Sequence, residues 1–247
     1  MAKVTVRVVG CGDAFGSGGR LQTCFFVSSQ QHHFLIDCGA TALVGMKRFG
    51  VDPDRIETIF LSHLHGDHFG GLPFLLLHAH FAGERTRPLV IAGPEGTRPR
   101  LDAALEVFFP GSSTIDWRFP LEFVELVPGR ACEIGGVTVR PHEVVHASGA
   151  PSLGLRLTCD GKEIAYSGDT RWTESLIPLA DRADLLILEC YAYDQDVQSH
   201  LNYETLRRRR REFRCKRLVL THMSEAMLAR QGEVDLETLD DGKLLEL

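Results

Sequence analysis

Between positions 63 and 68 the chain places His63, His65, Asp67 and His68, inside the stretch LSHLHGDHFGG that spans 61–71. An isolated histidine is more often a core or surface residue than a ligand. Four such groups together are harder to place without a cation. Buried and unpaired, each polar group would cost ~1–3 kcal/mol. A divalent metal removes that cost. His63 and His65, two apart on extended chain, point the same way and can grip one ion. Asp67 and His68, on the turn into the next helix, can face a second. The residue types and spacing therefore point to metal binding. Three further polar positions follow strand-like runs: His146, Asp169 and His222. Ligands held at strand ends by a rigid sheet are the usual way to build such a site.

SHLHGDH resembles the metal-binding signature of the metallo-β-lactamase superfamily, and the resemblance continues in order along nearly the whole chain. His146 ends HEVVH and precedes PSLGLRL, similar to the stretch after the third motif histidine of ribonuclease Z. His142 is its rival, and His146 is preferred for its distance to Gly154. Asp169 lies in AYSGDT, which matches the strand-end Ser-Gly-Asp-Thr motif. His222 ends RLVLTH, which matches the last motif. The resemblance implies two metal ions. His63, His65 and His146 would hold one; Asp67, His68 and His222 would hold the other; Asp169 would bridge them. Zinc is the expected metal, with manganese and iron as alternatives. The nucleophile would be a hydroxide between the ions, its pKa lowered towards ~7.

The same resemblance extends around the site. The ribonuclease Z and cyclic-phosphodiesterase branches place a histidine after the strand DLLILEC to protonate the leaving oxygen. Here that is His200 in SHLNYET, with Glu189 at the strand end to hold it. Histidine titrates near neutral pH, as a general acid must. His200, Glu189 and Asp67 are thus the expected catalytic residues. Asp37 in LIDCG matches an aspartate near the ligand histidines; its bland reading is a turn residue. GCGDAFGSGGRLQTCFF resembles a glycine-rich loop whose arginine, here Arg20, faces substrate phosphate. Glycines let backbone N–H groups approach an anion. Arg20 and Asp37 complete the expected binding set. His32, His33, His78 and His80 match nothing and are read as structural or exposed.

These residues need a scaffold. MAKVTVRVVG alternates as a strand should, and QTCFFVSS with HHFLIDCG reads as a hairpin joined at Ser28 to Gln31. TALVGMKRFGV has helical spacing, and the run 58–61 reads as a buried strand that leads to His63. GGLPFLLLHAHFAG reads as an apolar helix, PLVIAGPEG as strand and turn, and RPRLDAALEVFFPG as a helix. Four β-rich runs follow: LEFVELVPG, GVTVRPHEVVH, SLGLRLTCDG and KEIAYSGDT. A helix TESLIPLADR, a strand DLLILEC, a basic helix NYETLRRRRREF and a strand RLVLTH close the pattern. Each half is a meander followed by β/α alternation. Two such halves predict two sheets packed face to face with helices outside, a four-layer αββα sandwich. No low-complexity linker divides them, so residues 1–247 read as a single metallo-β-lactamase-like hydrolase domain.

Composition narrows the classes. The 247 residues are 44% hydrophobic and 24% charged, enough to bury a sizeable core. A net charge of −6 suggests neither a nucleic-acid carrier nor a membrane-surface protein. The start has no signal-peptide pattern, and no stretch approaches the ~18 apolar residues of a membrane span. The seven cysteines are odd in number and never spaced C-x-x-C, which fits a reducing cytoplasm. The five arginines 207–211 cannot share one helical face, so they read mainly as solvated surface. Their alternative roles are RNA contact or an oligomer interface, a homodimer included.

Lactamases and thioester hydrolases usually lack the His200 type of histidine, so the resemblance implies phosphodiesters. Ribonuclease Z carries a tRNA-clamping arm between its third histidine and its bridging aspartate. Here only residues 147–168 lie between them, which leaves room for two strands and a turn. The compact spacing is closer to the phosphoribosyl cyclic phosphodiesterases, although Cys11 and Cys24 are not placed for that branch's extra zinc. The expected activity is dinuclear metal-dependent hydrolysis of a small or cyclic phosphodiester by a metal-bridging hydroxide. The alternatives are an armless RNA 3′-end endonuclease and a non-catalytic metal-binding protein.

Overall fold

The computed structural model describes residues 3–247; Met1 and Ala2, which open the first strand-like run, lie outside the described residues. The first half supplies β1 (Thr5–Gly10), β2 (Cys24–Ser28), β3 (His33–Ile36), helix α1 (Ala42–Phe49), β4 (Thr58–Phe60), the single turn α2 (Gly66–Phe69), α3 (Leu72–Phe81), β5 (Leu89–Gly93), α4 (Thr97–Phe108) and β6 (Leu121–Glu125). The second half supplies β7 (Cys132–Ile134), β8 (Val137–Val144), β9 (Ser152–Cys159), β10 (Lys162–Tyr166), α5 (Leu176–Ala180), β11 (Leu185–Glu189), α6 (Tyr203–Arg209), β12 (Arg217–Thr221), α7 (Glu225–Leu228) and β13 (Glu237–Thr238). The last strand, β14 (Leu244–Glu246), returns to pair antiparallel with β1.

The halves form one seven-stranded sheet each, in the orders β14-β1-β2-β3-β4-β5-β6 and β13-β12-β11-β10-β9-β8-β7. In both, an antiparallel meander passes into parallel strands: β3 to β6 in the first, β10 to β13 in the second. Parallel strands connected by helices are covered on both faces, which explains why β4 and β11 are buried along their whole length. Val6, Val8, Phe25, Val27, Ile36 and Phe60 of the first sheet meet Val139, Leu155, Leu157, Ile164, Tyr166 and Ile187 of the second. Behind the first sheet, Leu35, Ile59 and Leu61 pack against α1, α3 and α4; behind the second, Leu186, Leu188 and Leu220 pack against α5, α6 and α7. These three apolar layers between four structural ones are the expected αββα sandwich. The helix ends differ from expectation. α5 is only five residues, and α6 stops at Arg209, where a 3-10 turn takes over.

Close backbone contacts fix the site end of the sandwich. Cys38 N–H donates to the His68 carbonyl at 2.6 Å, and Gly71 N–H donates to the Cys38 carbonyl at 2.8 Å. The turn after β3 therefore clasps the turn that carries Asp67 and His68. Gly39 is required there: a Cβ would sit 2.3 Å from the Asp67 carbonyl oxygen.

Candidate active site

The expected ligands converge at one edge of the two sheets. His63 and His65 follow β4, Asp67 and His68 lie on α2, His146 follows β8, Asp169 follows β10 and His222 follows β12. They form two groups. His63, His65 and His146 offer ring nitrogens within 4.8 Å of one another; so do the ligand atoms of Asp67, His68, Asp169 and His222. Asp169 Oδ2 lies between the groups, 3.3 Å from both His68 Nε2 and His222 Nε2, 3.8 Å from His63 Nε2 and 3.9 Å from His146 Nε2. His142 lies along β8 and joins neither group.

Several atoms in this cluster make no well-formed hydrogen bond although they are buried. His63 Nε2, His68 Nε2 and Asp169 Oδ1 are among them. His146 Nε2 faces His65 Nδ1 at 3.0 Å, an arrangement of two imidazole nitrogens that a shared cation would satisfy. Native interiors rarely leave such groups unpaired. The donor set of imidazoles and carboxylates fits a divalent metal, so the residues present suit the cations that the sequence pattern implies. The charges agree. Burial would raise the Asp169 carboxyl, yet His222 and His68 hold it well below the usual carboxylate range. Burial would lower His222, but Asp169 and the hydrogen bond it donates to Asp67 push it up to about 9. Burial, followed by the positive field of His68, keeps His63 well below its ordinary value and therefore neutral, the form that ligates.

The supporting contacts are specific. Asp37 is fully buried and in a left-handed conformation, φ 56°. It accepts from Ser62 N–H and Ser62 Oγ, both at 2.7 Å, and pairs with His68 Nδ1 at 2.7 Å. That last contact turns Nε2 of His68 towards the carboxylates, which is how a carboxylate behind a histidine orients a metal ligand. His222 is also left-handed, φ 60°, a conformation that costs roughly 1–2 kcal/mol and is tolerated where geometry matters. His146 Nδ1 donates to the Ser199 carbonyl at 3.0 Å, so its Nε2 is the free nitrogen.

A cavity of about 500 Å³ opens over the cluster, lined in part by His65, Asp67, His146, Asp169 and His222. His200 lines it too. Its Nδ1 donates to Glu189 at 3.2 Å. Glu189 is fully buried at the end of β11 and also accepts from the backbone N–H of Thr170 and of Leu201. Burial would lower the His200 pKa, but the hydrogen bond and charge of Glu189 raise it above the ordinary histidine value. A protonated imidazole beside the ligand cluster is what a general acid requires.

One expected residue lies elsewhere, and three residues were not foreseen. Arg20 is not among the residues lining the cavity; its guanidinium pairs with Asp240 at 2.5 Å. Chain separation of 220 residues hid that partner. Two members of the arginine run are paired with carboxylates. Arg207 meets Glu204 at 3.2 Å, and Arg209 meets Glu212 at 3.3 Å while lying over the Trp172 ring at 4.3 Å. Ser62 links Asp37 to His63, donating to the first and lying 3.0 Å from Nδ1 of the second. It sits inside the motif, so the signal was available. Tyr191 stacks on His200 with ring centroids 4.7 Å apart, and Phe15 lines the cavity; neither carried a sequence signal.

A family model described as anti-Pycsar protein Apyc1 matches residues 4–239. Ribonuclease Z of Bacillus licheniformis is 29% identical over 267 aligned residues, covering 86% of this chain and 83% of its own. The probable metallo-hydrolase YhfI of Bacillus subtilis is 28% identical and covers 94% of this chain and 96% of its own. The crystal structure of YhfI, a metallo-β-lactamase fold protein, superposes with a TM-score of 0.81 over the full length of both chains, at 23% identity. The crystal structure of the short form of human tRNase Z superposes with a TM-score of 0.78 at 26% identity, covering 98% of each chain.

Proposed function

The chain belongs to the anti-Pycsar protein Apyc1 family, and from that premise we propose that it is a dinuclear metal-dependent phosphodiesterase acting on a small or cyclic phosphodiester. The observation that carries this reading is the hydrogen bond of His200 to buried Glu189 beside the seven-ligand cluster. A protein that only stored metal would need no poised acid. His63, His65 and His146 would hold one ion; Asp67, His68 and His222 the other, with Asp169 between them. When bound, two such cations supply Lewis acidity and a water acidified towards pKa ~7. The chain's own residues do the rest. Glu189 keeps a proton on His200 and aims the ring into the cavity. His200 gives that proton to the leaving oxygen. Asp37 holds His68 in one orientation, so the ligand array stays fixed.

Zinc is the metal that this ligand set favours, and residues 1–247 act as one hydrolase domain. The working compartment is the cytoplasm, and no helix among the described residues is long and apolar enough to cross a membrane. A small substrate is preferred to RNA because residues 147–168 are spent on β9, β10 and their tight turn at Asp160–Gly161, without an inserted arm. Arg20 does not enter this reading of the cavity. The RNA-nuclease reading keeps one point in its favour, the similarity to ribonuclease Z.

The test is hydrolysis by the metal-loaded protein of three substrates side by side: a cyclic nucleotide, bis(p-nitrophenyl) phosphate and a tRNA precursor. Turnover of the small diesters with little cleavage of the precursor is expected. Efficient, site-specific cleavage of the precursor with no turnover of cyclic diesters would transfer the assignment to the nuclease.

A further inference from the structure

Among the aliphatic and aromatic side chains that fill the layer between the two sheets, Tyr166 alone carries a hydroxyl. It ends β10 of the second sheet and is fully buried. Its ring meets Phe25 of the first sheet edge-on, with centroids 5.5 Å apart. A phenylalanine would serve that packing equally well. A buried hydroxyl, by contrast, is costly unless it finds a partner.

The partner lies across the interface. The hydroxyl is 3.4 Å from His68 Nδ1, the nitrogen that also faces Asp37 Oδ2 at 2.7 Å. A ligating imidazole is neutral, so Nδ1 carries one proton and Asp37 accepts it. The phenol proton is then directed to Asp37 as well. Burial, then the charges of Asp37 and Asp169 and a hydrogen bond to Asp37, push the phenol well above its ordinary value, so it stays a donor. Ser62 makes a second seam at the same point. Its hydroxyl donates to Asp37, and its carbonyl accepts from Leu153 N–H of the second sheet at 2.9 Å. The second sheet thus reaches, through Tyr166 and Leu153, to the carboxylate that supports a ligand on the first. Three residues beyond Tyr166 the same strand end delivers Asp169.

We propose that Tyr166 is a positioning residue that sets the register of the two sheets at the metal site. Its hydroxyl ties the strand that delivers Asp169 to the Asp37–His68 pair. The approach of Asp169 Oδ2 to His68 Nε2, 3.3 Å, is thereby held from both sides. Tyr166 touches no substrate and acts through Asp37 and His68. This role rests on the reading of the cluster as a site for two ions and is independent of which diester is cleaved.

Tyr166→Phe keeps the ring and removes the hydroxyl. The full chain is stripped of metal, loaded with zinc and titrated with a competing chelator in four forms: native, Tyr166→Phe, Asp37→Asn and the double variant. The native chain should hold two ions. Tyr166→Phe should weaken the ion of the Asp67, His68 and His222 group roughly tenfold, the lower end for an outer partner, and leave the other ion within about twofold. In the Asp37→Asn background the same change should add little, because both side chains act through one pair. Native affinity for both ions in Tyr166→Phe, equal weakening of both, or a full tenfold loss added to that of Asp37→Asn overturns the role. A native chain that holds fewer than two ions overturns the two-ion reading together with it. Should Tyr166→Phe fail to fold, the phenol proton of the native zinc-loaded chain decides by NMR. A Tyr166 hydroxyl proton protected from exchange with water supports the role, and one that exchanges as fast as in free tyrosine overturns it.

Discussion

The two halves of the ligand cluster are built from different chemistry. One holds three histidines, of which His65 and His146 are partly exposed at the cavity. The other holds two carboxylates and two histidines, all buried. Their supports differ in kind. Behind the open half stand a hydroxyl, Ser62, at His63 and a backbone carbonyl, Ser199, at His146. Behind the buried half stands a full carboxylate, Asp37, on His68. The negative charge is thus concentrated where solvent is absent and attraction for a cation is strongest. The open half contributes neutral donors where substrate enters. A divalent ion should therefore be held more tightly in the buried half, and the open half should exchange more readily.

Asp169 belongs to the buried half, yet its Oδ2 also lies 3.8 Å from His63 Nε2 and 3.9 Å from His146 Nε2, so its loss should have the largest effect. Asp169→Ala should lower metal content at both positions and reduce turnover by at least ~10³-fold, since removal of a shared carboxylate disables the whole array. Elemental analysis after purification without chelator, alongside a turnover assay, checks this. A variant that keeps two metals per chain and full activity would remove the bridging role.

Next in size is His200, which belongs to neither half. His200→Ala should leave metal content at the native level and cut turnover ~10²–10⁴-fold, the usual worth of a general acid. The loss should shrink on p-nitrophenyl diesters, whose leaving group needs no proton. Equal losses on good and poor leaving groups would show that His200 acts in some other way.

Asp37→Asn separates the halves. The amide can still accept from Ser62, but it no longer demands the Nδ1 proton of His68. Outer partners of this type typically change metal affinity 10–100-fold. The buried half should weaken, so that titration with a competing chelator shows one site lost earlier than in the native chain. A uniform weakening of both sites would mean that the halves are coupled more tightly than their separate supports imply.

What could be read from the sequence follows from how local each signal is. His63, His65, Asp67 and His68 fall in one short turn, and burying that many polar groups has few explanations besides metal. His146, Asp169 and His222 stood out as polar residues after strand-like runs, and their roles, with that of Glu189, came from the resemblance. Asp37 was placed by resemblance; its actual duty depends on Ser62 and His68, which pair with it only in the folded chain. Arg20 failed for the same reason in reverse. Its glycine-rich setting suggested an anion, but its guanidinium pairs with Asp240, 220 residues away in the chain. Phe15 and Tyr191 were invisible because exposed or half-exposed aromatics in loops have no periodicity to betray them.

The smallest effect is expected in the arginine run, the part of the sequence most suggestive of nucleic acid. Arg207 and Arg209 already face Glu204, Glu212 and Glu174, and Arg209 lies over Trp172. Exposed pairs of this sort contribute about 0–1 kcal/mol each, so they do little for stability. They do cancel the local field that a phosphate backbone would need. Arg208 and Arg211 are exposed and Arg210 donates to the Phe213 carbonyl, so the pairing covers only Arg207 and Arg209. Changing Arg207, Arg209 and Arg211 together to Ala should therefore leave cyclic-diester turnover within about twofold, well below the effect of a lost general acid. Binding of a short single-stranded RNA should be weak in both proteins, with a shallow dependence on salt. Were the run an RNA contact, each phosphate engaged would add about −0.7 to the log–log salt slope, and the triple change would flatten it by about 2. A steep native slope that the triple variant abolishes would move the substrate out of the cavity and onto this helix.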